Sequence, residues 1–223
     1  MQTRSEQTRR RLILAGAEMF DRHGYANATI GQIAGAAGMT KGALYFHFAS
    51  KDGLADAVQQ RGRELLGDFV QRQWEQGAAP VQAVIDLTHW LAAKLRSDPL
   101  MRAGFRISKE CTGRKPPVVG FHQVWITEVL RLLGQARAAG ELREHTAQDG
   151  PETLLFATVC GIEVLAGTPL PSAELSYRIG ALWEPLLSVL VPPHDLGRYR
   201  THPPKAPAAA AGSAVEPVGS QVA

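Results

Sequence analysis

The side chains with the clearest potential for chemistry lie in residues 29–51. Lys41 and Tyr45 are four positions apart in this stretch, and so are Leu44 and Phe48. Residues four apart share one face of a helix, so the two pairs occupy different faces of one short helix. Leu44 and Phe48 can pack on a neighbouring element, which leaves a cation and a phenol free to bind a partner.

Capping residues predict the elements that would position this helix. Thr29 and Gln32 have the spacing of a capping box, in which each side chain satisfies the backbone amide of the other. Gly38 can adopt the left-handed conformation that ends a helix, and Thr40 can cap the next one. The segment is therefore predicted to be a helix, a tight turn and a short helix.

The free face of the short helix has the chemistry of a DNA-reading surface. Besides Lys41 and Tyr45 it carries Gly42, which allows close approach of the backbone, and His47 at its edge. A helix of this length fits the major groove, where side chains reach base edges while amides and cations hold phosphates. The alternative is that Tyr45 and His47 are ordinary surface or core residues of a helical bundle.

The basic charge of the chain is concentrated near its start. The 223 residues have a formal net charge of +3, yet residues 1–51 alone carry +4, from seven Arg and Lys residues against three acids. A basic module on a nearly neutral body indicates a polyanionic partner for the first part of the chain. A solvated helix start would explain the arginines at positions 9–11 equally well.

The sequence lacks the motifs of enzymes and metal sites. Ser108 and Ser172 lie in no GxSxG turn, and there is no HExxH motif or phosphate-binding glycine loop. Cys111 and Cys160 lack metal-ligand spacing, and no apolar run approaches the roughly 20 residues of a membrane span. We expect a cytoplasmic protein that is not an enzyme, needs no metal or cofactor and has no membrane partner. An interaction module without DNA binding is the other alternative to a DNA-binding protein.

Helical periodicity extends over the rest of the chain and predicts an all-α fold. A long helix from Ser50 is expected to connect two domains, with further helices over 80–97, 99–111, 118–139, 150–167 and 172–191. We predict a three-helix helix-turn-helix domain over 1–52 and a helical ligand-binding and dimerisation domain over 53–191. Residues 192–223, rich in Pro, Ala and Gly, are predicted to form a disordered tail.

The first fifty residues resemble the DNA-binding domain of the tetracycline-repressor (TetR) family. The resemblance rests on FDRHGY at the end of the first helix and on TKGALYFHF followed by a lysine. It implies a regulator that binds double-stranded operator DNA. By this resemblance the groove-facing residues are Thr40, Lys41, Gly42 and Tyr45, and the phosphate contacts are Thr29, His47 and Lys51.

The second domain offers two candidate ligand-binding residues, Trp125 and Thr158. An indole and a hydroxyl among apolar side chains are natural in a ligand cavity, where a few polar groups orient an apolar molecule. Both are equally natural as core residues whose polar atoms have found partners.

A narrower resemblance, to the γ-butyrolactone autoregulator receptors of that family, favours the cavity. It rests on KGALYFHF, on Trp125 after a double proline, and on the stretch from Thr158 to Thr168. It implies a repressor of antibiotic or differentiation genes that a small lactone, butenolide or furan releases from DNA. Trp125 would then form a wall of the pocket and Thr158 would bind the ligand carbonyl. The full set of candidate ligand-binding residues is Leu87, Trp90, Leu91, Ile107, Trp125, Glu128, Thr158 and Ile162.

Two features leave the ligand and the assembly open. An acid at Glu128 disfavours a neutral lactone, so an antibiotic, a biosynthetic intermediate or no ligand at all is the alternative. The last two helices carry more apolar residues than one bundle face needs, which indicates a homodimer and a pseudo-palindromic operator. The alternative is a monomer whose terminal helix is buried.

Overall fold

The structure, a computed structural model, describes residues 4–111, 120–143 and 150–203. Within these ranges the chain forms nine α-helices and one 3-10 helix, and no strand. The α-helices are α1 (Arg4–Asn27), α2 (Ile30–Ala36), α3 (Lys41–His47), α4 (Lys51–Glu75), α5 (Pro80–Ser97), α6 (Pro99–Glu110), α7 (Phe121–Ala138), α8 (Gly150–Ala166) and α9 (Ser172–Leu190). The predicted all-α class is confirmed, and the predicted helices agree with these bounds to within a few residues.

Local sequence signals explain where several helices begin and end. Gly24 has a φ of 78° and kinks α1 in its last two turns. Gly38 has a φ of 67° in the turn between α2 and α3. The Ser50 and Asp98 side chains accept hydrogen bonds from the first-turn amides of α4 and α6. These signals act within a few residues, which is why the sequence alone located them.

The first core joins α1, α2, α3 and the start of α4. It also contains Leu100, Ala103 and Ile107 from α6, which packs along α1. Ile107 is fully buried here, in a different core from the other buried ligand-binding candidates, and its contact with a ligand stays a prediction. Leu100, Ala103 and Ile107 lie on the side of α6 that packs against α1, whereas Met101 and Phe105 of the same helix belong to the second core.

The second core is built from α5, α7, α8 and α9 with parts of α4 and α6. Its largest fully buried side chains include Trp125 and Trp183. No helix of the described ranges combines the length and apolar character needed to cross a membrane.

The C-terminal part of the chain departs from the predicted tail. Instead of disorder from residue 192, the chain forms a 3-10 helix over Pro193–Arg198 and then buries Tyr199. The backbone of Arg200 exchanges two hydrogen bonds with the Gln82 side chain, at 2.8 and 3.1 Å. Tyr199 and Leu196 pack on the second core, and bonds between Arg200 and Gln82 and between Thr201 O and His89 hold the segment on α5, so order did not require a high apolar content. The predicted disorder of residues 204–223 lies outside the described residues.

Candidate DNA-binding surface and sensor core

The turn between α2 and α3 places the two helices for a shared apolar contact. Backbone bonds from Gly38 N to Gly35 O (2.9 Å) and from Met39 N to Ala34 O (2.8 Å) close the turn. Ile33 on α2 and Leu44 on α3 are both fully buried. The inner face of α3 is therefore held against α2, as the spacing predicted.

The opposite face of α3 is exposed to solvent. Lys41, Gly42 and Tyr45 all lie on it, and just over half of the Tyr45 side chain is accessible. A Cβ added to Gly42 would meet only Thr40 Oγ1, at 3.9 Å, so the backbone is open to a close approach there. The predicted division into a packed face and a free face is confirmed, whereas contact with DNA stays a prediction.

The Lys41 side chain is partly positioned by α2. A Cβ added to Gly31 would lie 2.8 Å from Lys41 Cε, so the lysine stem crosses α2 where that helix has no side chain. Contact along the stem limits the rotamers of the side chain while its ammonium stays exposed. Preordering of this kind reduces the entropy lost when such a cation binds a partner.

The two predicted threonine contacts are cap residues in the structure. Thr40 Oγ1 accepts from Ala43 N at 3.2 Å, which leaves its O–H hydrogen available to an anion. Thr29 completes the predicted capping box with Gln32, but its hydroxyl also donates to Gln32 Oε1 at 2.8 Å. Thr40 is thus better prepared than Thr29 to donate to a phosphate.

Lys51 lies in a different environment from the one predicted. Its ammonium donates to the carbonyl oxygens of Tyr25, Ala26 and Ala28 at 2.8, 3.2 and 3.1 Å, and it lies 4.5 Å from the centre of the Tyr25 ring. Three carbonyls use all three donors of an ammonium. In this structure Lys51 therefore holds the last turn of α1 and the chain before α2 in place, and its contact with a phosphate stays a prediction.

An exposed aromatic residue beside the predicted set was missed. Phe46 is 83% exposed, and its ring lies edge-on to His47 at 5.2 Å between centroids. The sequence did contain a signal, because Phe46 is two positions from both Leu44 and Phe48 and so cannot share their face. His47 itself is half-buried at the edge of the surface.

We define the recognition surface as Thr40, Lys41, Gly42, Tyr45 and Phe46. It offers a cation, a hydroxyl, a phenol and an apolar ring around an open stretch of backbone. These groups suit phosphate, base-edge and thymine-methyl contacts in a groove.

In the sensor domain, Trp125 on α7 is fully buried and its Nε1 has no hydrogen-bond partner among the described residues. Its ring is parallel to that of Trp90, with 6.2 Å between centroids and 4° between planes. Trp90 in turn stacks on Phe69 of α4 at 5.0 Å. A row of three aromatic rings therefore runs from α7 through α5 to α4.

Several other predicted ligand-binding residues are buried in the sensor domain. Leu87, Leu91 and Ile162 are fully buried in the same core as Trp125. Thr158 is buried and donates to Leu154 O at 2.8 Å, so its oxygen can still accept a bond.

One void beside Trp125 measures only about 10 Å³ and lies between α7 and α8. It is lined by Leu155 and Val159, which flank Thr158 in sequence on α8. A volume of this size holds one water molecule at most, so this void takes a ligand only if α7 and α8 move apart.

Glu128 is not part of that core. Its carboxylate pairs with Arg131 at 2.5 Å on the outside of α7 and raises the pKa of the Arg131 guanidinium. The inward positions of α7 are Trp125, Val129 and Leu132, and position 128 falls on the flank of that stripe. The structure therefore does not place Glu128 beside the buried ligand-binding candidates, and its contact with a ligand stays a prediction.

Three comparisons with known proteins agree with this geometry. Residues 12–58 match the family described as bacterial regulatory proteins, tetR family. The A-factor receptor protein of Streptomyces griseus is 30% identical over 192 residues, which span 86% of this chain and 67% of that protein. The matched segment of this chain thus includes both the helix-turn-helix and most of the sensor domain.

Solved structures extend the likeness to the fold. The crystal structure of a gamma-butyrolactone receptor, described as ArpA-like, has a TM-score of 0.74 at 28% identity and covers 89% of this chain and 95% of its own. The structure of the TetR family protein CprB from Streptomyces coelicolor, in complex with its biological operator sequence, has a TM-score of 0.72 at 31% identity. The match covers 89% of this chain and 96% of CprB. This chain belongs to the TetR family of bacterial transcriptional regulators, which are not enzymes, and within that family it is similar to the γ-butyrolactone receptors.

Proposed function

We propose that this protein is a homodimeric repressor that binds a pseudo-palindromic operator in the cytoplasm and is released by a γ-butyrolactone, butenolide or furan. The genes under its control would be those of antibiotic production or differentiation. The similarity to the A-factor receptor protein and to a gamma-butyrolactone receptor supports this ligand class.

The observation that carries the proposal is the buried indole N–H of Trp125. An unpaired buried donor costs about 1–3 kcal/mol, and the other fully buried tryptophan avoids that cost, because Trp183 Nε1 donates to Thr88 Oγ1 at 2.8 Å. A ligand carbonyl at Trp125 would satisfy the donor. Apolar neighbours such as Leu87 and Ile162 suit the alkyl part of the same molecule.

The small volume of the void beside Trp125 suggests how binding would act on DNA affinity. Since the void beside Trp125 holds no more than a water, a ligand there would have to separate α7 from α8 or displace the ring of Trp90. Trp90 touches Phe69 on α4, the helix that starts beside α3. Movement of α4 would change the separation of the two recognition surfaces in a dimer. A roughly 100-fold loss of affinity would need about 3 kcal/mol of differential ligand binding.

A second connection links the sensor domain to α1. Arg102 on α6 pairs with Asp21 at 2.8 Å, and Arg106 donates to the Asp21 carbonyl at 2.7 Å. Glu110 accepts from Tyr25 N, in the segment that Lys51 holds. A shift of α6 would therefore move the C-terminal end of α1, which leads into the helix-turn-helix.

The dimer is supported by exposed apolar side chains on the last two helices. Val164 on α8 and Tyr177 and Val189 on α9 are each more than half exposed. Large apolar side chains exposed on adjacent helices are a common feature of subunit interfaces. A two-fold axis there would present two copies of α3 to successive major grooves.

The proposal is tested by operator binding with and without ligand. Fluorescence anisotropy with DNA from upstream of the gene should show salt-dependent binding, and a γ-butyrolactone, a butenolide or a furan should lower the signal. Trp125→Phe should bind the operator as the unmodified protein does but require at least tenfold more ligand for release. Trp74→Phe, at an exposed position, is the matched control. Release at unchanged ligand concentration in Trp125→Phe would overturn the assignment of Trp125.

A further inference from the structure

A second cavity is lined by Trp90. It has a volume of about 740 Å³ and is enclosed by α4, α5, the N-terminal half of α9 and the chain around Arg200. We call it the α4–α5–α9 cleft. Its volume is within the range that holds cofactor- or drug-sized molecules, roughly 300–1,000 Å³. Neither Trp125 nor Thr158 lines it.

One wall of the cleft is aromatic. Phe69 and Trp90 both line it and are stacked on each other with 5.0 Å between their centroids. A flat apolar molecule inserted beside them would extend the stack and bury further aromatic surface. This wall therefore favours a planar body in the occupant.

The polar residues of the cleft leave one positive charge unbalanced. Asp86 accepts from Gln82 Nε2 at 2.9 Å and pairs with Arg200 at 3.4 Å, so these two opposite charges compensate each other. Burial lowers the pKa of His89, and the ring bonds to Thr201 O at 2.8 Å. His89 is therefore neutral near pH 7 and adds no charge.

The unbalanced charge belongs to Arg96. Its Nη1 donates to Thr168 O at 3.1 Å, and no carboxylate in the described ranges pairs with it. A guanidinium has five N–H donors, so at least two remain for a ligand and can bind a carboxylate through two parallel bonds. Ser97, Ser172 and Ser176 add hydroxyls to the same cleft.

We propose that the α4–α5–α9 cleft is a second small-molecule site, which takes an aromatic carboxylic acid with its ring on Phe69 and Trp90 and its carboxylate on Arg96. The site goes beyond the proposed function, because it is separate from the Trp125 pocket and its occupant is an anion rather than a neutral lactone. Its occupant would also touch α4 directly through Phe69.

The test compares an acid with its neutral isostere on the full-length protein. Naphthoate and naphthamide have the same ring system and differ in charge, and their binding can be followed by isothermal calorimetry. Naphthoate should bind with one site per protomer and at least about tenfold more tightly than naphthamide, since the charge-assisted bonds are made only by the acid. Equal affinities, or no naphthoate binding at millimolar concentration, would overturn the site.

Two substitutions locate the binding within the cleft. Arg96→Gln should remove the preference for the acid, whereas Arg96→Lys should keep part of it. Arg137→Gln, at an exposed arginine at the end of α7, is the matched control and should keep all of it. Thermal unfolding of each variant shows whether it is folded. A folded Arg96→Gln protein that still prefers naphthoate would contradict the assignment.

Two further variants separate this site from the Trp125 pocket. Ser176→Phe, which fills the cleft without changing charge, should weaken both probes. Trp125→Phe should leave naphthoate affinity unchanged even where it impairs release from operator DNA. Loss of naphthoate binding in Trp125→Phe would place the probe in the core around Trp125 and overturn the second site. That result would leave the separate proposal of a lactone at Trp125 unaffected.

Discussion

The recognition surface and the Trp125 core are specified in opposite ways. On α3, the functional candidates are the side chains that the fold leaves exposed, such as Lys41 and Tyr45, while Leu44 is consumed by packing. In the sensor core Trp125 is fully buried, and it is one of a few described residues with a buried polar atom that lacks a hydrogen-bond partner. A surface site is thus recognised by side chains that remain exposed after the helix has packed. A core site is recognised by a buried polar atom that has no hydrogen-bond partner.

Lys51 and Lys41 show how this difference decides a residue's role. Both are lysines at the edge of the helix-turn-helix, yet one ammonium is bonded to three carbonyls and the other is exposed. Charge alone therefore does not identify a DNA contact. The following predictions test the contrast, beginning with the largest expected effect.

Lys51→Met should destabilise the first domain by about 3 kcal/mol. The substitution removes three charge-assisted bonds and the contact of the ammonium with the Tyr25 ring, and it leaves partly buried carbonyls without donors. Denaturant unfolding measures the change. Lys41→Met is the matched control and should change stability by less than about 0.5 kcal/mol. Equal stability of the two variants would mean that the Lys51 ammonium is not bonded to these carbonyls in solution and is free to bind DNA.

Lys41→Ala should weaken operator binding by about 2 kcal/mol, or roughly 30-fold, because a groove-facing cation is lost from a folded domain. Affinity for unrelated duplex DNA should fall much less. Anisotropy titrations with operator and with a scrambled duplex separate the two effects. Arg72→Ala, at an exposed position near the end of α4, serves as the control. A uniform loss on both duplexes would reassign Lys41 to a phosphate contact.

The two buried tryptophans give a comparison within one core. Trp183→Phe removes the donor to the buried Thr88 oxygen, whose hydroxyl keeps only its bond to Ile85 O, whereas Trp125→Phe removes a donor that is already unpaired. The Trp183 variant should therefore lose about 1–2 kcal/mol more stability than the Trp125 variant. Thermal or denaturant unfolding of the pair measures this difference. A larger loss at Trp125 would mean that its N–H has a partner in solution.

The sequence predicted the helix-turn-helix well because its determinants are local. The cap residues Thr40 and Ser50, the turn at Gly38 and the spacing of Leu44 and Phe48 all act within one or two helical turns. Such signals carry their meaning without knowledge of the tertiary fold. The exception, Lys51, accordingly depends on carbonyls more than twenty positions away.

The sensor core was harder to predict because helical periodicity shows which face is buried but not what it is buried against. Ile107 has an inward-facing pattern and is indeed buried, but in the first core. Periodicity also cannot tell whether the N–H of a buried indole has a partner, which is the difference between Trp125 and Trp183. The order of residues 192–203 escaped prediction for the same reason, since it depends on Gln82.

The smallest predicted effect concerns the segment that closes the α4–α5–α9 cleft. Burial lowers the pKa of His89 below its ordinary value of 6.5, so between that lowered pKa and 6.5 the unfolded chain binds a proton that the folded protein excludes. The free energy of unfolding should consequently decrease as the pH falls from about 7 to about 5.5.

His89→Gln keeps a donor near Thr201 O but does not titrate, so it should lose less stability than the unmodified protein over this range. Asp86 changes the free energy of unfolding in the opposite direction, because burial raises its pKa and the folded protein therefore binds its proton more readily than the unfolded chain does. This contribution begins at a lower pH than that of His89. Unfolding measured at several pH values in both proteins isolates the His89 contribution, since the other titrating groups are common to the two. If the two curves were parallel, the His89 ring would be as solvated in the folded protein as in the unfolded chain, and the segment around Thr201 would not close the cleft.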